Sequence, residues 1–144
     1  MIEVLFTKLD DAAIVPTQAY PGDAGWDLHV LHDTMVGETD QWTNVRSGIA
    51  MAVPEGYYAR LVGRSSAFRK KGLIVHEGII DAGYRGELFS ACSLLDVYGD
   101  GVMLKAGESI CQIIIQPVPP VTMTQVDELP ESVRGANGFG SSGR

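Results

Sequence analysis

Helical periodicity is almost absent from this chain, and that constrains its fold more than any other feature. Short apolar or alternating runs recur instead, at residues 2–6, 26–31, 45–53, 57–62, 73–75, 88–95, 102–104, 110–118 and 121–126. Turn signals lie between them: Pro21-Gly22-Asp23, Pro54-Glu55-Gly56, Lys71-Gly72, Gly99-Asp100-Gly101 and Ala106-Gly107. Proline presets φ, glycine accepts left-handed positions, and aspartate bonds its own backbone, so such clusters end strands. Many short strands at this spacing predict an all-β antiparallel sandwich or barrel.

Val45, Ser47, Ile49, Met51 and Val53 alternate as a half-buried strand should. Residues 110–115 are apolar on both faces, which suits a strand covered on both sides, and a second subunit is one candidate cover. Residues 66–71 are the best place for one short helix, or equally a loop. No internal repeat or second domain is visible. Residues 1–133 read as one β domain. Residues 134–144, RGANGFGSSGR, read as a flexible glycine-rich tail.

At 144 residues and 45% hydrophobic content the chain can build one ordinary core. Its net charge of −7 argues against gripping polymeric DNA or RNA, which calls for a basic face. A small nucleotide needs only a few local donors, so that option stays open. No run approaches the ~20 apolar residues of a membrane helix, and the N-terminus has no secretory pattern. Cys92 and Cys111 each sit in an apolar run, as buried free thiols would, and give no disulfide framework. Together these predict a cytoplasmic protein.

Three clusters could carry chemistry. Gly63-Arg64-Ser65-Ser66 offers a planar cation and two hydroxyls to a phosphate, or forms a polar turn at a strand end. In residues 78–87, GIIDAGYRGE, Asp81 closes an apolar pair and would project from a rigid strand end, a good place for a general base or an ordinary turn aspartate. Tyr84 could lie flat on a sugar or half-buried on a sheet. In the tail, Arg134 is a phosphate-competent fork, and Phe139 is an aromatic isolated between glycines, suited to stacking on a base when the tail closes as a lid. His76, before Glu77-Gly78, reads as a polar hairpin residue. His29 and His32 fall on opposite faces of a strand, and no Cys/His spacing resembles a zinc site.

With these residues in view, the chain resembles the trimeric, all-β dUTP diphosphatases (dUTPases) over nearly its whole length. Five segments follow the family's motifs in order: residues 19–28 (AYPGDAGWDL), 63–66 (GRSS), 78–87, 107–114 (GESICQII) and 134–143 (RGANGFGSSG). The resemblance implies a jelly-roll-like fold, hydrolysis of dUTP to dUMP and pyrophosphate, Mg²⁺ as cofactor, and a homotrimer in which three chains share each site. It implies that Asp81 is the base that activates water. Tyr84 would lie beneath the deoxyribose. The main chain from His76 through Ile79 and Ile80, with Phe89 nearby, would read the uracil edge. Arg64, Ser65, Ser66 and Gln112 would hold phosphates, and Arg134, Phe139, Gly140 and Ser141 would close over the nucleotide. Asp27 would act near Mg²⁺ through water, the ion resting mainly on the triphosphate.

Ser66 stands where the family commonly has glycine, Ala67-Phe68 where Leu-Ala is usual, and Ser109 where arginine is common. An alternative within the superfamily is a dCTP deaminase, which Arg64-Ser65-Ser66 and Val75-His76 resemble. Ala91 stands where that enzyme needs a glutamate, and Ile79 where it has an arginine. A second alternative is a nucleotide-binding regulatory protein with a protein partner.

Overall fold

The computed structural model describes residues 1–37, 42–95 and 99–138. Its elements are β1 (Leu5–Lys8), β2 (Gly25–His29), β3 (Thr34–Val36), β4 (Thr43–Ala52), β5 (Tyr57–Gly63), α1 (Ser65–Lys71), β6 (Leu73–Val75), β7 (Gly78–Ile80), β8 (Glu87–Leu94), β9 (Val102–Leu104) and β10 (Ser109–Pro117). Two four-stranded sheets, ordered β1-β4-β8-β6 and β2-β10-β5-β7, enclose one core, and β3-β9 forms a small third sheet. Every recorded ladder is antiparallel. The predicted all-β class is therefore what the chain adopts.

The core is a product of the alternation. Ile49 from β4, Leu88 and Cys92 from β8, Leu61 from β5 and Cys111 and Ile113 from β10 are almost fully buried. Each large aliphatic side chain so placed contributes roughly 1.5–3 kcal/mol. Ser47 keeps the inward phase of β4 because its hydroxyl donates to the Leu88 carbonyl at 2.7 Å. Residues 47–51 of β4 are buried on both faces, since the strand bulges between Arg46 and Ala50. Gly48 sits there at φ 68°, and a Cβ would press on Ala13 and Leu31. Helix α1 has the predicted place, beginning one residue earlier. Gly72 ends it at φ 60°, its N–H donating to Phe68.

Three expectations need correction. The first strand starts at Leu5 rather than residue 2. Ile2 and Val4 instead join Phe6, Trp26, Met51 and Ile113 around an apolar cavity of about 360 Å³. Strand β3 is not among the expected runs; it takes its order from pairing with β9. The predicted strand at 121–126 does not form. After Val118 donates to Gly56 the chain leaves the sheet, and among the described residues no strand supplies a ladder; Val121 and Met123 are exposed.

Candidate active site

Strands β6 and β7 follow one another but join different sheets. Val75 pairs with Cys92 on β8, and Gly78 pairs with Leu61 on β5. The link between them, His76-Glu77, therefore bridges the place where the two sheets part. Among the described residues β7 is an edge strand whose second edge has no ladder partner. Beside it opens a cavity of about 240 Å³ lined by Ile79, Ile80, Asp81, Tyr84, Glu87 and Phe89. Five of those six residues were singled out in the sequence.

The mouth of this cavity is built by a tight turn. The Asp81 carbonyl accepts from the Tyr84 N–H at 3.0 Å, and Arg85 donates to the carbonyls of Ala82 and Tyr84 at 2.6 and 2.8 Å. The Tyr84 hydroxyl donates to the Glu87 carbonyl at 2.9 Å, laying the ring across Gly86. Asp81 is exposed there, its carboxylate free of any recorded partner among the described residues. Glu87 was missed by sequence reasoning. Its side chain, only 10% exposed, accepts a fork from Arg46 at 3.1–3.2 Å and the Gly48 N–H at 2.8 Å. It thus braces the β4 bulge against the start of β8. No local pattern could have shown this, because Arg46 and Glu87 lie 41 residues apart.

A second polar cluster gathers around the far end of β5. Arg64 places a guanidinium nitrogen 3.1 Å from Asp27 of β2, and its backbone N–H donates to Ile110. Gln112, paired with Asp27 across β10, has its amide over Gly25, where any Cβ would overlap it. Ser65 and Ser66 follow as the first turn of α1. Lys71 of that helix pairs with Glu108 at 2.7 Å. His29 and Ser109 face each other across β2 and β10, and His29 Nδ1 and Ser109 Oγ are buried without partners among the described residues. Burial holds the His29 imidazole below its usual pKa; Asp27 opposes this and Arg64 adds to it.

The two clusters do not meet within one chain. Ile80 is level with Ala59, whereas Arg64 lies just beyond Gly63. Five residues of strand separate those levels, about 17 Å. Arg134 is exposed, and among the described residues its guanidinium donates to the Asn137 carbonyl alone, at 2.8 Å, within a local turn. Phe139, Gly140 and Ser141 lie outside the described residues.

A divalent cation has no cage of protein ligands here: among the described residues no three His, Cys, Asp or Glu side chains converge. Mg²⁺ keeps its waters and rests on phosphates with one or two carboxylates nearby, and Asp27, held at 3.1 Å from Arg64 in the cationic cluster, is a carboxylate of that kind. Also among the described residues, no helix is long and apolar enough to cross a membrane.

Fold and side chains together define an all-β protein with a lined pocket and a cation–hydroxyl cluster at opposite ends of one strand. The chain belongs to the dUTPase family, whose model matches residues 11–143. It is 41% identical over 144 residues to the deoxyuridine 5'-triphosphate nucleotidohydrolase of Thermobifida fusca, covering 99% of this chain and 79% of that protein. Against the enzyme of the same name from Tropheryma whipplei it is 37% identical, with 99% and 95% covered. Among solved structures it is similar to the Staphylococcus bacteriophage 80alpha dUTPase with dUPNHPP, at TM-score 0.87 and 26% identity, all of both chains being covered.

Proposed function

We propose that this chain hydrolyses dUTP to dUMP and pyrophosphate, in a homotrimer whose sites each combine the pocket of one protomer with the cationic cluster of another. The names of the relatives support the activity. The observation that carries the shared site is the separation of Asp81 from Arg64 along β5, which leaves each half incomplete alone. Two further features suit assembly. The apolar cavity beside β1 is open, and residues 118–133 bear exposed Val121, Met123, Leu129 and Val133 that no other described residue covers.

The chemistry follows from the residues. Asp81 takes a proton from water, whose oxygen forms the new bond to the α-phosphorus. The bond from that phosphorus to its β-bridging oxygen breaks, and pyrophosphate leaves. One placed general base is worth on the order of 10² to 10⁴ in rate. The Tyr84 ring supports the sugar and leaves no room for a 2′-hydroxyl. The free edge of β7, with His76 and Ile79–Ile80 main chain and the Phe89 ring, reads the uracil. Arg64 is preoriented by Asp27, and with Ser65, Ser66 and Gln112 it holds the phosphates. Mg²⁺ on the triphosphate, with Asp27 reaching it through water, would offset the charge that otherwise repels the attacking oxygen. Residues 134–144, with Arg134, Phe139, Gly140 and Ser141, close over the bound nucleotide as a lid. The compartment is the cytoplasm.

The test is pyrophosphate release across dUTP, dCTP, dTTP and UTP, with and without Mg²⁺. Release from dUTP alone, dependent on Mg²⁺, is expected. Ammonia from dCTP would instead mean a deaminase. Tight dUTP binding without turnover would mean a regulatory nucleotide-binding protein.

A further inference from the structure

The link that bridges the two sheets is held by one backbone bond, from the His76 N–H to the Ala91 carbonyl at 2.8 Å, and otherwise by side chains. Among the described residues β6 and β7 share no ladder, so no hydrogen bond between them fixes how far they part. Each link residue is instead strapped to the sheet its own strand belongs to. Glu77 accepts a fork from Arg60 on β5, at 2.5 and 2.8 Å. His76 Nε2 lies 3.1 Å from Ser93 Oγ on β8. The two straps are matched in register. Arg60 pairs with Ile79, two residues after Glu77, and Ser93 pairs with Ile74, two residues before His76. The Arg60 and Glu77 side chains are 40% and 45% exposed, so folding gains little from their pairing.

We propose that these two clasps, Arg60–Glu77 and Ser93–His76, fix the opening in which the base is read and thereby set which pyrimidine it accepts. This rests on the reading of that opening as the base pocket. Uracil and cytosine have nearly the same outline and differ in donors and acceptors, a carbonyl at C4 being replaced by an amino group. Shape cannot separate them. Fixed backbone groups can, because the wrong base leaves buried donors or acceptors facing their own kind. That discrimination survives only while the β7 edge is held to a few tenths of an ångström. Arg60 and Ser93 are thus positioning residues; neither belongs to the pocket lining.

The experiment measures kcat/KM for dUTP and for dCTP with the full-length protein, with Arg60→Gln, with Ser93→Ala, and with the charge-swapped pair Arg60→Glu plus Glu77→Arg. The dUTP-to-dCTP ratio is expected to fall about three- to fivefold in each single variant, chiefly through KM, with the melting temperature within about 2 °C of the parent. The swapped pair should recover the ratio to within about 1.5-fold. A ratio unchanged in Arg60→Gln, or a fall that the swap does not recover, overturns the clasp. A parent protein that turns over neither nucleotide overturns the base-pocket reading itself. A selective parent with equally selective variants overturns the clasp alone.

Discussion

Gly86→Ala adds one carbon to the turn that carries the pocket, and its effect can be worked out atom by atom. Gly86 does not occupy a left-handed conformation, so alanine brings no backbone strain. The new Cβ would overlap the Tyr84 hydroxyl and lie 2.6 Å from Cζ and 3.1 Å from Cε2, where ordinary contact begins near 3.4 Å. The ring must swing by about 1 Å, and its bond to the Glu87 carbonyl is lost. That bond is worth about 1 kcal/mol. The ring is already 42% exposed, so little buried surface goes with it. The melting temperature should therefore fall by only about 3 °C. Displacing a positioning group by about 1 Å costs on the order of 10² in rate, and kcat/KM for dUTP should drop by that order. Gly83→Ala in the same turn is the control, since a Cβ there meets nothing within 4 Å. Pyrophosphate release and a thermal melt on both variants decide the matter. Two variants equally active would refute Tyr84 as a wall of the site. A collapse of Gly86→Ala by tens of degrees would refute the local account of the turn.

Asp81→Asn should lower dUTP turnover on the order of 10² to 10⁴-fold while calorimetry still finds dUTP bound within a few-fold of the parent affinity; near-normal turnover would remove Asp81 as the base. Burial pushes the Cys92 thiol up to about 12 and the Cys111 thiol to about 11. Both should react with a thiol reagent at about pH 8 more than ~10²-fold slower in the folded protein than in urea, and fast labelling of the native state would contradict their burial. The Arg60 guanidinium holds the Glu77 carboxyl below its usual pKa. A depressed carboxylate is fully ionised above its ordinary pKa and loses its pairing only as pH falls through the folded value. Arg60→Gln should accordingly change the dUTP-to-dCTP ratio by the same factor at about pH 8 and at about pH 5.5, and a factor that differs between the two would show that Glu77 is not the partner Arg60 acts through.

Much of the fold could be read because strand phase and turn chemistry are local properties. The runs at 73–75 and 102–104 became β6 and β9 without shift, and Ser65–Lys71 ends where Lys71-Gly72 signals a stop. Failure came where order is borrowed. β3 exists through β9, and Val121 and Met123 show strand-like alternation but find no partner strand among the described residues. For the site, Asp81, Tyr84 and Arg64 could be singled out because a strand end, an aromatic and a cation beside glycines each have a chemical reading. Their division between two ends of β5 could not, since it depends on which strand β7 joins. Glu87, Arg60 and Ser93 stayed hidden for the same reason: each acts through a residue far away in sequence.

Division of the site between protomers can be measured directly. Asp81→Asn and Arg64→Ala should each be nearly inactive alone. When the two are mixed in equal amounts, unfolded and refolded together, each site draws its pocket and its cationic cluster from different chains. Random assembly then gives an intact pair in about one quarter of sites. The account predicts recovery of about one quarter of the parent's activity toward dUTP. Activity no greater than the average of the two separate variants would contradict it.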